Sequence, residues 1–284
     1  MITSGTTFAE ALEEGRQALS DSPTSALDAR LLLEEASGLS RADLIGADRD
    51  YIGETIAEAF LTLVNRRRKG EPVAYILGTQ EFYGRDFAVG PGVLIPRPET
   101  EMLIDAAQGL HPQRILDLGT GSGCLLGTAL KEAPNATGVG IDASAEALRY
   151  AERNLSALSV ADRAELKLLR FEDAAFGLGQ GLFDLILANP PYINPADELP
   201  VSVQDFEPNE ALFAAEQGLA AHREIAQIMA RFLTPTGSAF VEIGHDQGET
   251  AEEIFTTALP GRTVRTKKDL AGLPRMVAIT PPSA

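Results

Sequence analysis

Two textures of apolar residues divide this chain, and the change falls near Pro72. Before it, Phe8, Leu12 and Leu19, then Leu27, Leu31 and Leu32, then Ile56, Phe60, Leu63 and Val64 recur at separations that put each group on one helical face. Ser22-Pro23 and Ser40 are suited to start helices, and Gly38, Gly46 and Gly53 to break them. Residues 1–74 are therefore expected to form a small helical bundle. It holds no paired acids, metal-type cluster or glycine loop, so its role is left between packing alone and recognition of a partner. From Tyr75 and Ile76 through Phe82, Tyr83, Phe87, Val89 and Val93, apolar residues alternate with turn formers, which predicts a hairpin connector over 75–97. A helix over 102–109 follows, with Glu99 or Thr100 placed to cap it.

Beyond residue 110, short apolar runs alternate with amphipathic stretches. Strands are expected at 114–118, 137–141, 165–169, 183–188 and 238–243, with helices at 124–133, 145–158, 218–232 and 247–259. A last pair of strands is expected at 263–266 and 276–280. Alternation of this kind predicts an α/β fold whose mostly parallel sheet is covered on both faces and closed by a terminal hairpin.

Candidate chemistry gathers at the ends of these strands. Gly119-Thr120-Gly121-Ser122-Gly123 stands between a strand and a helix, with Asp117 before it. Such a loop lets a ligand approach the backbone, and the helix behind it offers free N–H groups. Asp142 ends the second strand, where an acid accepts hydrogen bonds from ribose hydroxyls; capping the next helix is its other possible role. Glu172-Asp173-Ala174 ends the third and is expected to meet an adenine ring. Asn189-Pro190-Pro191-Tyr192 ends the fourth as a rigid corner rich in carbonyls. The Asn189 side-chain oxygen and the Pro190 carbonyl can accept both N–H bonds of a planar NH2, and Tyr192 can lie against its flat face. Arg97, stiffened between two prolines, is expected to face a bound ligand. The loop over 193–209 is long enough for a lid or binding segment. Within it, Glu207-Pro208 either returns to the site or makes a surface turn.

Charge narrows the partners. With 24 Lys and Arg against 41 Asp and Glu, the net charge is -17, the reverse of a nucleic-acid footprint, so direct DNA binding is not expected. The one basic run, Arg66 to Lys69, reads as a solvated helix end, with a docking patch as the minority reading. No apolar stretch approaches ~20 residues, so no membrane partner is expected. Residues 1–14 lack a targeting pattern, and Cys124 is the single cysteine, so the cytoplasm is the expected compartment. His111, His222 and His245 are scattered, which argues against a metal, and no Gly-Lys-Ser/Thr phosphate grip occurs. What remains is an adenosine-containing cofactor and transfer of a group to an NH2. A monomer is the expected state.

Seven segments carry a family resemblance: Tyr75-Ile76-Leu77-Gly78, Glu81-Phe82-Tyr83-Gly84, Ile95 to Glu101, Asp117 to Gly123, Asn189 to Ile193, Glu207-Pro208, and Asp269-Leu270-Ala271-Gly272. In these the chain resembles the S-adenosylmethionine-dependent methyltransferases that use an Asn-Pro-Pro-Tyr motif on planar nitrogens, and more closely the peptide chain release factor glutamine N5-methyltransferases. The resemblance implies a Rossmann-like, seven-stranded methyltransferase domain over 98–284, joined by the 75–97 hairpin to a substrate-recognition domain over 1–74. It implies methylation of the glutamine in the Gly-Gly-Gln loop of release factors 1 and 2, modulating translation termination, with S-adenosylhomocysteine as product. Carried over by position, Gly119 to Gly123, Asp142, Asp173, Ala174 and Asn189 would hold the cofactor. Asn189 to Tyr192, with Arg97 and Glu207, would hold the glutamine, and Asn189, Pro190 and Tyr192 would serve transfer. An adenine-N6 methyltransferase and a non-catalytic nucleotide-binding protein are the rival expectations.

Overall fold

The computed structural model describes residues 2–282. The chain separates into two compact units, one running up to Thr79 together with Pro200–Phe206, the other comprising Gln80–Leu199 and the chain from Glu207 onward.

The first unit is helical: α1 (Phe8–Ala18), α2 (Ser25–Ser37), α3 (Arg41–Gly46), α4 (Gly53–Arg68) and α5 (Val73–Leu77). Capping boxes start α1 (Thr7 with Glu10) and α3 (Ser40 with Asp43), and Gly38 ends α2 in the left-handed conformation. Its core contains Phe8, Ala29, Leu32, Leu33, Phe60, Val64 and Ile76. Leu27, expected beside Leu31 and Leu32, is exposed, and Ala29 takes the inward place instead. The reason is close approach: a Cβ on Gly15 would stand 2.6 Å from the Phe60 ring and 3.3 Å from the Ala29 methyl, so small residues are needed where α1, α2 and α4 meet. Within the basic run, Arg66 pairs with Glu71 at 2.5 Å and Arg67 with Asp28 at 2.7 Å, which commits two of its four cations inside the unit.

Tyr75 and Ile76, expected to open the hairpin, instead lie in α5, because the chain stays helical until Gly78 takes the left-handed conformation. The hairpin is β1 (Thr79–Phe82) and β2 (Arg85–Ala88), turned by Tyr83 and Gly84 at positive φ, the geometry that matches strand twist.

The second unit continues in chain order with α6 (Glu101–Ala107), β3 (Arg114–Leu118), α7 (Cys124–Glu132), β4 (Thr137–Asp142), α8 (Ala145–Ala157), β5 (Ala164–Leu168), α9 (Ala174–Gly177) and β6 (Phe183–Ala188). The long loop contains α10 (Val201–Gln204), which belongs to the first unit, and then α11 (Asn209–Leu212) and α12 (Ala215–Gly218). The chain ends with α13 (Ala220–Phe232), β7 (Leu233–Glu242), α14 (Gly248–Ala258), β8 (Thr263–Lys268) and β9 (Pro274–Thr280). The helix expected from residue 218 starts two residues later, because Glu216 and Gln217 sit at φ 54° and 58° and interrupt it.

The sheet has seven strands in the order β5-β4-β3-β6-β7-β9-β8, parallel except where β9 pairs with β7 and β8. Alternation along the strands sorts the core into two layers. Leu116, Leu118, Ile186, Ala188, Val241 and Val277 face α13 and α14, while Ile115, Leu185, Leu187, Phe240 and Ala278 face α6, α7 and α8. Strand order reverses between β3 and β6, the kind of switch point where open α/β sheets hold ligands beyond the carboxyl ends of their strands.

Candidate active site

Sheet register assembles the site. Ile141, Leu118, Ala188 and Val241 lie in one row across β4, β3, β6 and β7. One residue further along each strand brings Asp142, Gly119, Asn189 and Glu242 to the same edge. Residues more than a hundred positions apart in sequence thereby become neighbours.

The glycine loop is shaped by three left-handed glycines, Gly119, Gly121 and Gly123. A Cβ on Gly123 would meet Ala151 Cα at 3.2 Å, so this glycine admits α8. A Cβ on Gly121 would have only the Gly119 carbonyl near it, at 4.0 Å. Asp142 secures the loop: Gly121 N–H donates to its Oδ2 at 2.8 Å and Ser144 N–H to its Oδ1 at 2.8 Å. Ser144, not Asp142, caps α8 through its side chain. Burial raises the Asp142 pKa and these backbone donors oppose it.

Beneath the loop, Thr120 Oγ1 donates to Asp117 Oδ2 at 2.6 Å and Leu126 N–H to the same oxygen at 3.2 Å, while Oδ1 finds no partner among the described residues. Burial pushes the Asp117 carboxyl up to about 7 and the Cys124 thiol up to about 12, so Cys124 supplies no thiolate at neutral pH.

At the fourth strand end, the Asn189 side chain is tied from behind. Its Nδ2 donates to Thr100 Oγ1 at 3.0 Å, Thr100 Oγ1 donates to Glu242 Oε2 at 2.6 Å, and Tyr192 Oη donates to Glu242 Oε1 at 2.9 Å. Thr100 and Glu242 are buried. Burial raises the Glu242 pKa, opposed by its two hydroxyl donors and by the charge of Arg275. Burial and the Glu242 carboxylate likewise hold the Tyr192 phenol protonated, so it is no base. His222 Nε2 donates to the Glu242 carbonyl at 3.0 Å, and burial keeps its ring neutral.

A cleft of about 520 Å³ opens over this edge. Gly119 to Ser122, Asp142 and Asn189 lie on its wall, as do Pro191, Thr100, Phe171 and Glu172. Several expected site residues are placed elsewhere. Asp173 is exposed and off the wall, and Ala174 is fully buried in the core that includes α13. The turn ending the third strand brings Phe171 and Glu172 to the wall instead, with the Phe171 ring 3.5 Å from where a Gly119 Cβ would stand. Gly123 and Pro190 are also outside the lining. Tyr192 is half-buried and directs its hydroxyl inward to Glu242 rather than lining the cleft. Arg97, expected to face a ligand, has its guanidinium turned to Glu207 at 2.5 Å, and Glu207 also accepts Ile95 N–H at 3.0 Å. Glu207-Pro208 therefore returns into the second unit as a buried tie, not a surface turn.

Sequence offers Thr100 a helix-cap role and a place in the Ile95 to Glu101 segment, and Glu242 only a place in a strand; neither assigns them to the site. Thr100 makes no side-chain cap bond at all. A charge closing the apolar run Ala239-Phe240-Val241 was the available signal for Glu242. Among the described residues, no group of His, Cys, Asp and Glu is arranged to hold a metal ion, and no helix is long and apolar enough to cross a membrane.

The fold is that of the methyltransferases. A methyltransferase from Pyrococcus furiosus superposes with a TM-score of 0.51 at 15% identity, over 77% of this chain and 98% of that one. Residues 98–236 match the family model described as methyltransferase small domain, and residues 10–78 match the one described as PrmC N-terminal domain. The release factor glutamine methyltransferase of Caulobacter vibrioides is 42% identical over 88% of this chain and 88% of its own. That of Nitratidesulfovibrio vulgaris is 39% identical over 97% and 95%. A bifunctional methyltransferase of Rickettsia typhi is 37% identical over 81% of this chain and 48% of its own. The chain belongs to the release factor glutamine methyltransferase family.

Proposed function

We propose that this protein transfers a methyl group from S-adenosylmethionine to the side-chain N5 of the glutamine in the Gly-Gly-Gln loop of class 1 release factors, with S-adenosylhomocysteine and a released proton as the other products. One observation carries the reading: Asn189 donates from its Nδ2 to Thr100, which turns its Oδ1 the other way as an acceptor in the same cleft that the glycine loop and Asp142 line.

The donor set fits the cofactor. Asp142 retains unused lone pairs for a ribose diol, Gly119 and Gly121 open the backbone to close approach, and Phe171 offers an apolar face for adenine. When bound, S-adenosylmethionine supplies an electrophilic methyl on a sulfonium. The chain's part is to hold the acceptor nitrogen. An amide nitrogen is a poor nucleophile because its lone pair is delocalised. Accepting an N–H bond at Oδ1 of Asn189, which lines the cleft, orients that lone pair and favours positive charge developing on nitrogen. The helical unit, which runs up to Thr79, serves release factor recognition. A net charge of -17 disfavours the nucleic-acid alternative.

Labelled methyl transfer to a purified release factor, to its glutamine-to-alanine variant and to nucleic acid tests the reading. Label is expected on the first alone. Asn189→Ala is expected to slow transfer by about 10²–10³-fold with cofactor affinity kept, the scale of removing one oriented polar group. Label on nucleic acid, or an unaltered rate in the variant, would refute it.

A further inference from the structure

We infer that Thr100 and Glu242 are positioning residues that set which way round the Asn189 amide stands in the cleft. This deepens the reading above and rests on it for the substrate. Asn side-chain oxygen and nitrogen are nearly equal in shape, so packing alone holds the two flipped orientations about equally well. Hydrogen-bond direction decides between them.

That direction is imposed from Glu242. Two hydroxyl donors and the charge of Arg275 oppose the effect of burial and favour its ionised form, which can only accept: it receives the Thr100 hydroxyl on one oxygen and the Tyr192 hydroxyl on the other. Thr100 has a single proton, which is thereby spent, so toward Asn189 its oxygen is obliged to accept. Asn189 must then turn its NH2 to Thr100 and its Oδ1 away, toward the ligand side. All members of the chain are buried or half-buried, so water does not readily substitute for a missing partner. A flipped Asn189 would present N–H groups to a substrate NH2, and donor would face donor.

Thr100→Val removes the hydroxyl and keeps the shape, while Thr100→Ser restores the hydroxyl. Glu242→Gln replaces one accepting oxygen by an NH2 and lets the direction of the chain reverse. The measurements are single-turnover methyl transfer from labelled S-adenosylmethionine to a purified class 1 release factor, KM for the release factor, cofactor affinity, and the ¹⁵N-¹H resonances of the Asn189 side chain in the full-length protein. Thr100→Val is expected to lower the transfer rate by about 10–100-fold, as loss of a supporting partner does, with KM and cofactor affinity within about threefold. Thr100→Ser should return to within about threefold of the wild-type rate, and Glu242→Gln should fall as Thr100→Val does. The Asn189 resonances should shift and exchange faster with water in Thr100→Val. A Thr100→Val enzyme at the wild-type rate, Thr100→Ser falling as far as Thr100→Val, or Asn189 resonances unmoved by Thr100→Val would each overturn the inference. If the wild-type protein transfers no methyl to the release factor, the proposed function fails, and the resonances still decide whether Thr100 holds the amide.

Discussion

Removing the Glu207 carboxylate tests whether the long loop is anchored beside the cleft as the structure has it. Glu207 is 1% exposed at its side chain and holds two partners: Ile95 N–H at 3.0 Å, buried, and Arg97 at 2.5 Å, whose own side chain is 32% exposed. In Glu207→Ala the Ile95 N–H loses its acceptor away from water, a cost of about 1–3 kcal/mol. Arg97 can turn outward to solvent, so its share is discounted to about 0–1 kcal/mol. The sum, about 1–4 kcal/mol, corresponds to a fall in melting temperature of roughly 2–16 °C for a unit of this size. Glu207→Gln keeps an acceptor of equal length and loses the charge, so about 1 kcal/mol is expected. Arg97→Ala should cost at least as much as Glu207→Ala, because it leaves a buried carboxylate with a single N–H. The double variant should cost less than the two singles combined, since they share one interaction. Calorimetry of the full chain measures all four. Asn209 and Glu210, which follow this anchor, line the cleft, so cofactor affinity should fall in parallel. A Glu207→Ala melting point within about 1 °C of wild type, or strictly additive singles, would show that the tie is not formed.

Two more outcomes follow from the glycine loop and the acid beneath it. Gly121→Ala should weaken cofactor binding while costing only about 1–2 kcal/mol of stability, because its Cβ meets no neighbour but the residue is left at φ +55°. Gly123→Ala, whose Cβ would press on Ala151, should lose more stability than Gly121→Ala; equal losses on thermal unfolding would refute the distinction. Asp117, with its pKa raised to about 7 in the folded state, binds its proton more tightly folded than unfolded, so its contribution is present in acid and lost as pH rises through about 7. Melting temperatures taken without cofactor from pH 5 to 8 should therefore show Asp117→Asn gaining on wild type up to about pH 7 and levelling off above it, and curves parallel throughout would count against it.

Periodicity and turn chemistry were enough to read the elements that flank the cleft. The strand over Phe183–Ala188, the run Arg114–Leu118 and the glycine loop before α7 stand where alternation and left-handed glycines put them, because those signals are local: each depends on a handful of adjacent residues and on φ/ψ limits that hold in any fold. Local signals were weaker where two structures share one composition. Tyr75 and Ile76 suit a strand or a helix, and packing in the helical unit decided for helix.

What sequence alone determined is therefore the set of strand ends and the residue types standing on them, including an amide beside two prolines. Only tertiary structure decided which ends adjoin and which side chains lie behind them. Thr100 and Asn189 are 89 residues apart and Thr100 and Glu242 are 142 apart, and nothing in the residues around any one of them announces the other two. Their meeting depends on strand order and register, which crossover helices and core packing set over the whole sheet, and the direction of the Asn189 amide then depends on a carboxylate that can only accept.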